Sequence, residues 1–131
     1  MNLVKVFKSK WFQRYARKEL IDDSGLLDAI YRAENGQIDA DLGGEVIKQR
    51  IARPGEGRSK GYRSIIFFRR GDRAFFVFGF SKSQQANVQP DEQQEFRSAA
   101  KYVLALTEAQ LMKLIERGDF VEVKRHAEKI S

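Results

Sequence analysis

The stretch EVIKQRIARPGEGRSKGYRSIIFFRRGDRAFFVFGFSK, residues 45–82, predicts three β-strands that carry a large positive charge. Positions 48–73 hold nine Lys and Arg residues against two Asp and Glu residues, a net charge of +7, whereas the whole chain carries +6. The remainder of the chain therefore sums to −1. A local basic patch on a sheet is typical of a surface that binds a polyanion such as nucleic acid.

The second and third strands of this stretch, 62–70 and 73–82, form the clearest hairpin. A two-residue turn at Gly71-Asp72 sets a register in which the numbers of opposed residues sum to 143, and it pairs Arg63 with Phe80. The other predicted pairs are Ile65–Phe78, Phe67–Phe76, Ile66–Val77 and Phe68–Phe75. Both faces are apolar near the turn, so we expect helices on both, and one face becomes cationic at the far end.

The strand before this hairpin is predicted over 45–52. Side chains alternate along a strand, so Lys48 and Arg50 share one face, and Ile47 and Ile51 share the other. The following residues, 53–61, are rich in Gly and basic residues and predict a loop. This loop lacks the spacing of a nucleotide-binding P-loop, which argues against a nucleoside triphosphatase.

Local signals outside this stretch predict one further strand and four helices. We expect a strand at 3–7, a helix at 10–19 capped by Ser9, a helix from the Asp22-Asp23-Ser24 cap to Asn35-Gly36, a helix from Pro90, a helix after a capping box at 107–110 that stops near Gly118, and a short strand at 120–123. The stripe Trp11, Phe12, Tyr15 and Ala16 on the first helix is assigned to the core.

Length and composition favour one soluble cytoplasmic domain. The chain has 131 residues and 42% apolar content, enough for one core. We expect a domain at 1–123 and a polar tail at 124–131, with no membrane span and no signal peptide. The absence of cysteine excludes disulfides and thiolate metal sites. The predicted fold is α+β, an antiparallel-rich sheet backed by N-terminal helices, with additional C-terminal helices.

Few catalytic arrangements fit these residues. The sole histidine, His126, lies in the polar tail, which excludes a Ser-His-Asp triad and argues against an imidazole metal site. A carboxylate metal site from Asp39, Asp41 and Glu45 is conceivable, but such residues before a strand usually serve turns and caps. No metal site and no cofactor are therefore predicted.

The remaining chemistry is phosphate chemistry performed by cations. RNA carries its own nucleophile, the 2′-hydroxyl. An enzyme that cleaves RNA needs only to orient that oxygen and stabilise the charge of the transition state. Strand geometry brings together the predicted catalytic residues Lys48, Arg50, Arg63 and Lys82.

The chain resembles the RelE/HigB group of bacterial toxins from toxin–antitoxin modules, in its HigB-like branch, from about Phe7 to Val123. The resemblance rests on the order and spacing of four blocks: KWF at 10–12, DADLGGEVIKQRIARPG at 39–55, SKGYR at 59–63, and FGFSK at 78–82 followed by Asn87. It implies a small α/β fold with an antiparallel-rich sheet. It also implies a metal-independent endoribonuclease that cuts mRNA, commonly at the ribosomal A site, and is inhibited by a cognate antitoxin.

By local motif, the resemblance assigns the family's basic residues to Lys48, Arg50 and Arg63, and places Lys82 near the last of them. Several members use a Tyr shortly after that last basic segment, but here the neighbourhood is Asn87-Val88. Either Tyr62 or another residue takes that role, or cations act alone. The residues predicted to bind RNA are Arg53, Arg58, Lys60 and Tyr62.

Two alternatives stay open from the sequence. A ParE-like toxin directed at DNA gyrase uses a similar fold, and a nucleic-acid-binding module could carry the basic hairpin without chemistry. For the first choice, an mRNA interferase, the expected partners are mRNA, the ribosome and an antitoxin with a helix-turn-helix DNA-binding domain. A short helix-turn-helix protein in the neighbouring reading frame would support that antitoxin pairing.

Overall fold

The computed structural model describes residues 4–53 and 57–125, and for residues 57–60 the backbone alone. Within these ranges no helix has the length and apolar character needed to cross a membrane. His126 and most of the predicted tail lie outside them.

This described part of the chain contains six strands and four helices. They are β1 (Lys5–Ser9), α1 (Lys10–Glu19), α2 (Asp23–Glu34), β2 (Ala40–Gly43), β3 (Val46–Arg53), β4 (Gly57–Arg69), β5 (Arg73–Ser81), α3 (Pro90–Leu104), α4 (Glu108–Glu116) and β6 (Phe120–Val123). The strands form one sheet in the order β2-β3-β4-β5-β1-β6. Only β1 and β5 pair in parallel, so the predicted α+β class with an antiparallel-rich sheet is confirmed.

Helices pack on both faces of the sheet, as the two apolar faces of the hairpin predict. On the first face Phe12 of α1 and Leu26 of α2 pack with Ile66 of β4. On the second face Leu104 of α3 packs with Phe67 of β4, in a cluster that also includes residues of β5 and α4. Alternate residues of β4 therefore belong to different cores, Ile66 and Phe68 to the first and Ile65 and Phe67 to the second.

The predicted helix starts are confirmed by cap hydrogen bonds. The Ser9 hydroxyl accepts from the Phe12 backbone N–H at 3.1 Å, and the Asp22 carboxylate accepts from Gly25 N–H at 3.1 Å. Pro90 is the first residue of α3, and the capping box at 107–110 opens α4. These signals act within three or four residues, which is why sequence alone reveals them.

The β4–β5 hairpin departs from the predicted register near its turn. Arg69 pairs with Arg73, so the connection has three residues with Gly71 at φ +76°, not two. The predicted pairs closest to the turn are therefore wrong by one residue, and Phe67 opposes Phe75. A bulge at Val77 restores the predicted register beyond it, which confirms the Ile65–Phe78 and Arg63–Phe80 pairs.

Four other expectations from the sequence are corrected. Residues 57–61 of the predicted loop belong to β4, and Gly57 pairs with Arg53. The predicted polar approach to β3 contains the short strand β2. Trp11, assigned to the core, is 43% exposed. The first strand begins and ends two residues later than predicted, at Lys5 and Ser9.

Candidate functional site

Three of the predicted catalytic cations share one face of the sheet. Lys48 and Arg50 are two residues apart on β3, so their side chains project from the same face. Arg50 lies directly opposite Arg63 on β4, and Lys48 lies opposite Ile65. Ile65 belongs to the core on the second face, so that is the face from which all three cations project.

Each of these cations has a different environment. Lys48 donates from Nζ to Asn87 Oδ1 at 3.0 Å. Arg63 is only 9% exposed and donates from Nη1 to the Gly61 carbonyl at 3.1 Å. Arg50 is exposed, and no residue of the described chain hydrogen-bonds its guanidinium. The face therefore presents one free guanidinium beside one that the backbone holds in place.

Lys82 lies in the exposed turn that begins directly after β5 ends at Ser81. Ser81 opposes Tyr62, and Phe80 opposes Arg63, so Lys82 follows at the same end of the hairpin as the other three cations. The turn then leads to Asn87, whose side chain contacts Lys48. The segment 82–87 therefore connects the end of β5 with the cationic part of β3.

Two of the four predicted RNA-binding residues, Tyr62 and Arg53, lie away from this face. Tyr62 is buried in the core of the first face, and its hydroxyl donates to the Glu19 carbonyl at 3.2 Å. The Arg53 guanidinium lies 4.8 Å from the centre of the Tyr62 ring, which places it with Tyr62. The side chains of Arg58 and Lys60 lie outside the described part.

A partly buried ion pair fixes the backbone of Arg50. The Arg50 N–H donates to Asp39 Oδ2 at 2.7 Å, and the Arg50 carbonyl accepts from the Arg32 guanidinium of α2. Arg32 is itself only 7% exposed and pairs with Asp39 at 3.5 Å and with Asp28 at 3.2 Å. Arg32 and Asp39 thereby bind both backbone polar groups of Arg50.

The neighbouring Gln49 is fully buried and reinforces the same connection. Its Oε1 accepts from the Asp39 N–H at 2.7 Å, and its Nε2 donates to the carbonyls of Ala29 at 3.0 Å and Gln37 at 3.2 Å. The sequence analysis did not assign a role to Gln49. A polar residue between Ile47 and Ile51 on the apolar side of β3 is the signal that could have revealed it.

The basic residues near the hairpin turn belong to a different environment. Arg69 binds Glu45 through two bonds of 3.0 and 3.1 Å, and Arg70 donates to the Glu34 carbonyl at 2.6 Å. Arg73 donates to the Leu106 carbonyl at 2.8 Å and pairs with exposed carboxylates. The nine basic residues of positions 48–73 therefore do not form one continuous patch.

The candidate carboxylate ligands also separate. Asp39 binds Arg50 N–H, Asp41 accepts from Gly43 N–H at 2.9 Å, and Glu45 pairs with Arg69. Among residues 4–53 and 57–125, no group of three or more His, Cys, Asp or Glu side chains is placed to hold a metal ion. Asp41 therefore has a turn role, as predicted, whereas Asp39 and Glu45 form ion pairs.

Asn87 is the residue near this face whose contact the sequence analysis did not foresee. It stands in the neighbourhood where related toxins carry a Tyr, and its Oδ1 accepts from both Lys48 Nζ and the Val88 N–H. Asn87 therefore orients Lys48 from a loop 39 residues away. The motif placed Asn87 after FGFSK, but no local pattern links it to β3.

Comparison with protein families matches residues 4–123 to the RelE toxin of the RelE/RelB toxin–antitoxin system. This match spans all six strands and all four helices of the described chain. The chain therefore belongs to the RelE toxin family, and it is a toxin of a toxin–antitoxin system. A search of curated proteins finds no match.

Proposed function

We propose that this toxin is an endoribonuclease that cleaves mRNA, in association with the ribosome, until its cognate antitoxin inhibits it. The observation that supports the proposal is the direct opposition of Arg50 and Arg63, with Lys48 two residues from Arg50 on the same face. A cluster of fixed cations on a sheet suits a polyanionic substrate. Membership of the RelE family supports the same reaction class.

The proposed reaction uses the nucleophile that RNA carries. The 2′-oxygen loses its proton and bonds to the adjacent phosphorus, and the bond from phosphorus to the 5′-oxygen breaks. The 5′-oxygen takes up a proton, so the products are a 2′,3′-cyclic phosphate and a 5′-hydroxyl end. This route does not require a metal-bound nucleophile. The protein supplies orientation and stabilises the charge that develops on the phosphoryl oxygens.

The geometry suggests different tasks for the cations. Arg63 is nearly buried and held by the Gly61 carbonyl, so its guanidinium is already oriented before RNA binds. Arg50 is exposed and has donors available for a phosphate, in the paired geometry that guanidinium favours. Lys48, oriented by Asn87, adds a third positive charge. Lys82 follows at the end of β5, where it can contact the adjacent phosphate.

We propose two kinds of partner for this toxin. Messenger RNA and the ribosome bind at the cationic face. Their affinity should fall steeply with salt, because each neutralised phosphate adds about 0.7 to 0.9 to the slope with which log affinity falls against log salt concentration. The cognate antitoxin, with a helix-turn-helix DNA-binding domain, is the second partner.

The test is induced expression of the wild-type toxin with transcriptome-wide mapping of RNA 5′ ends. Cuts that are phased with the reading frame support the proposal. The Arg63→Ala variant should lose these cuts and its toxicity, while it keeps its fold and its binding to the antitoxin. Since Arg63 is nearly buried, Arg50→Ala serves as a second variant at an exposed position.

The matched control is Arg117→Ala, because the Arg117 side chain is 71% exposed and lies after α4. This variant should cut mRNA as the wild type does. If wild-type expression instead triggers a DNA-damage response and leaves mRNA intact, the toxin acts on gyrase and the proposal is wrong. If Arg50→Ala and Arg63→Ala both fold and stay fully toxic, the site assignment is wrong.

A further inference from the structure

Trp11, the only tryptophan of the chain, is a large apolar residue that the core does not absorb. It lies in the first turn of α1 and is 43% exposed. Its helix neighbours Phe12 and Tyr15 are buried. A fixed, partly exposed indole is costly to leave in water, and such residues are enriched where a protein binds a partner.

Two aromatic rings hold Trp11 in place. The Tyr15 ring stacks on it with centroids 5.2 Å apart and planes 15° apart, and the Phe78 ring lies at 4.7 Å and 30°. The position of Tyr15 depends on Gly79, since a Cβ there would lie 2.6 Å from the Tyr15 ring. The indole is therefore preorganised, and little side-chain entropy is lost when a ligand binds it.

Trp11 lies beside the last part of β5, where β1 no longer pairs with that strand. The parallel pairing of β1 with β5 ends at Phe76, and the chain then turns into α1. Phe78, which contacts Trp11, opposes Ile65, and Ile65 opposes Lys48. Strands lie about 4.8 Å apart, so the backbones of Phe78 and Lys48 are roughly 10 Å apart. Trp11 is thus near the cationic face.

Cations accompany the indole on the surface of α1. A cavity of about 240 Å³ is lined by Trp11, Arg14, Tyr15 and Lys18, residues that share one side of the helix. Arg14 and Lys18 are exposed, and no carboxylate of the described chain pairs with either. Over its ten residues α1 carries four basic side chains and one acidic side chain, so this side of the protein is positive.

We propose that an unpaired nucleobase of the RNA substrate packs against Trp11, while Arg14 and Lys18 bind the flanking phosphates. Aromatic side chains beside cations are the usual way in which proteins bind single-stranded nucleic acid, because every base has a face that can stack. The inference extends the proposed ribonuclease function and depends on it only for the identity of the RNA. An acidic antitoxin segment is the competing occupant, and the apolar indole beside two cations favours RNA.

The first test uses Trp11 as its own reporter. Tryptophan emission of the wild-type toxin is followed while a short single-stranded 2′-O-methyl RNA is added, a probe that the 2′-hydroxyl route cannot cleave. We expect quenching that saturates. A fully paired duplex of the same sequence should quench much less, because its bases are already stacked in the helix. Equal emission with and without single-stranded RNA contradicts the inference.

The second test measures the affinity of variants for the same probe. Trp11→Leu keeps apolar bulk and removes the aromatic face, and it should raise the Kd by about tenfold. The double variant Arg14→Ala/Lys18→Ala should show a weaker salt dependence. Its slope of log Kd against log salt concentration should fall by about 0.7 for each phosphate that it no longer neutralises. Tyr31→Leu is the matched control, because Tyr31 is 70% exposed on α2. It should bind RNA as the wild type does.

Cleavage assays separate this inference from the proposed function. If the wild type cleaves RNA but Trp11 emission and the Trp11→Leu affinity do not change, the nucleobase site is wrong and the ribonuclease stands. If emission is quenched but no RNA is cleaved, the site is supported and the proposed activity is wrong. If folded Trp11→Leu weakens only inhibition by the cognate antitoxin, the surface binds protein and the RNA assignment is overturned.

Discussion

Basic residues lie in two regions of the sheet, near the β4–β5 turn and at the far end of β4 with the adjacent part of β3, and their contacts differ. Near the turn, Arg69, Arg70 and Arg73 each bind a carboxylate or a backbone carbonyl of another element. At the far end, the Arg63 guanidinium bonds only to the Gly61 carbonyl of its own strand, and the Arg50 guanidinium of β3 has no partner among the described residues. The first group connects the sheet to the helices and the β2–β3 turn, whereas the second remains available to a ligand.

This contrast shows that the net charge of a sequence segment does not by itself identify which of its residues form a ligand-binding site. Positions 48–73 carry nine basic residues, but partners distant in sequence divide these residues into structural and available cations. Glu45 neutralises Arg69 across 24 residues, and Glu108 pairs with Arg73 across 35. The available guanidinium groups, those of Arg50 and Arg63, bond neither to a carboxylate nor to another element among the described residues.

The largest expected effect follows from removing an available cation. Arg50→Ala should lower the rate at which the purified toxin cleaves mRNA on ribosomes by about 100- to 1000-fold, the usual loss when one transition-state donor is removed. Its thermal midpoint should stay near that of the wild type, because the side chain is exposed. If Arg50→Ala instead lowers the thermal midpoint strongly and cleaves RNA at the normal rate, Arg50 is a structural residue and our assignment is wrong.

A structural cation should show the opposite pattern. Arg73→Ala removes the donor of the buried Leu106 carbonyl and should lower the free energy of unfolding by about 2 kcal/mol. Cleavage per folded molecule should not change. Urea titration measures the first quantity, and Arg70→Ala, an exposed residue with one hydrogen bond, is the control. Unchanged stability in Arg73→Ala would contradict the comparison.

The Arg32–Asp39 pair allows a sharper test, since it connects structure to the available end. Asp39→Ala removes the acceptor of the Arg50 N–H and should destabilise the fold by about 1 kcal/mol. It should also slow cleavage about tenfold, because small shifts of a catalytic group are costly. Asp39→Asn retains an acceptor oxygen and should behave closer to wild type. If Asp39→Ala lowers the stability but leaves the cleavage rate unchanged, the position of Arg50 does not depend on the Arg32–Asp39 pair.

The smallest expected effect concerns Asp22, which lies outside both groups of cations. The Ser24 hydroxyl and the Gly25 N–H bind its carboxylate and lower its pKa in the folded state. The folded protein therefore binds fewer protons, so this stabilisation is present above the ordinary pKa of about 4 and is lost as pH falls through the lowered value.

The Asn side chain of Asp22→Asn can still cap α2, but it carries no negative charge at the start of the helix. At pH 7 the variant should therefore be less stable than the wild type by about 0.5 kcal/mol. The difference should shrink in acid unfolding curves below pH 4. A difference that persists at low pH would show that charge on the cap is not its cause. Cleavage at pH 7 should be the same for both proteins.

Local signals predicted much of the fold. The caps at Ser9 and at 107–110 need only three or four residues, and they place α1 and α4 at the predicted residues. The alternation of β3 correctly grouped Lys48 with Arg50. The opposition of Arg63 and Phe80 was also correct, although the turn was wrong, because the bulge at Val77 compensates for the extra turn residue.

Tertiary contacts explain what the sequence could not predict. Helical spacing places Trp11 beside Phe12 and Tyr15, but its exposure depends on where β1 stops covering β5. The hydrogen bonds of Gln49 to Ala29 of α2 and to Gln37, and the orientation of Lys48 by Asn87, join residues that are 12 to 39 positions apart. No periodicity encodes such contacts, since they depend on how the elements pack.

We propose above all that the opposed cations on one face of the sheet orient the 2′-oxygen of RNA for attack on the adjacent phosphorus. The most direct test is cleavage of an mRNA, on ribosomes, that carries one 2′-deoxynucleotide at a mapped cut position. We expect cutting at that position to stop, while cuts elsewhere continue and leave 2′,3′-cyclic phosphate ends. Undiminished cutting at the deoxy position would contradict it.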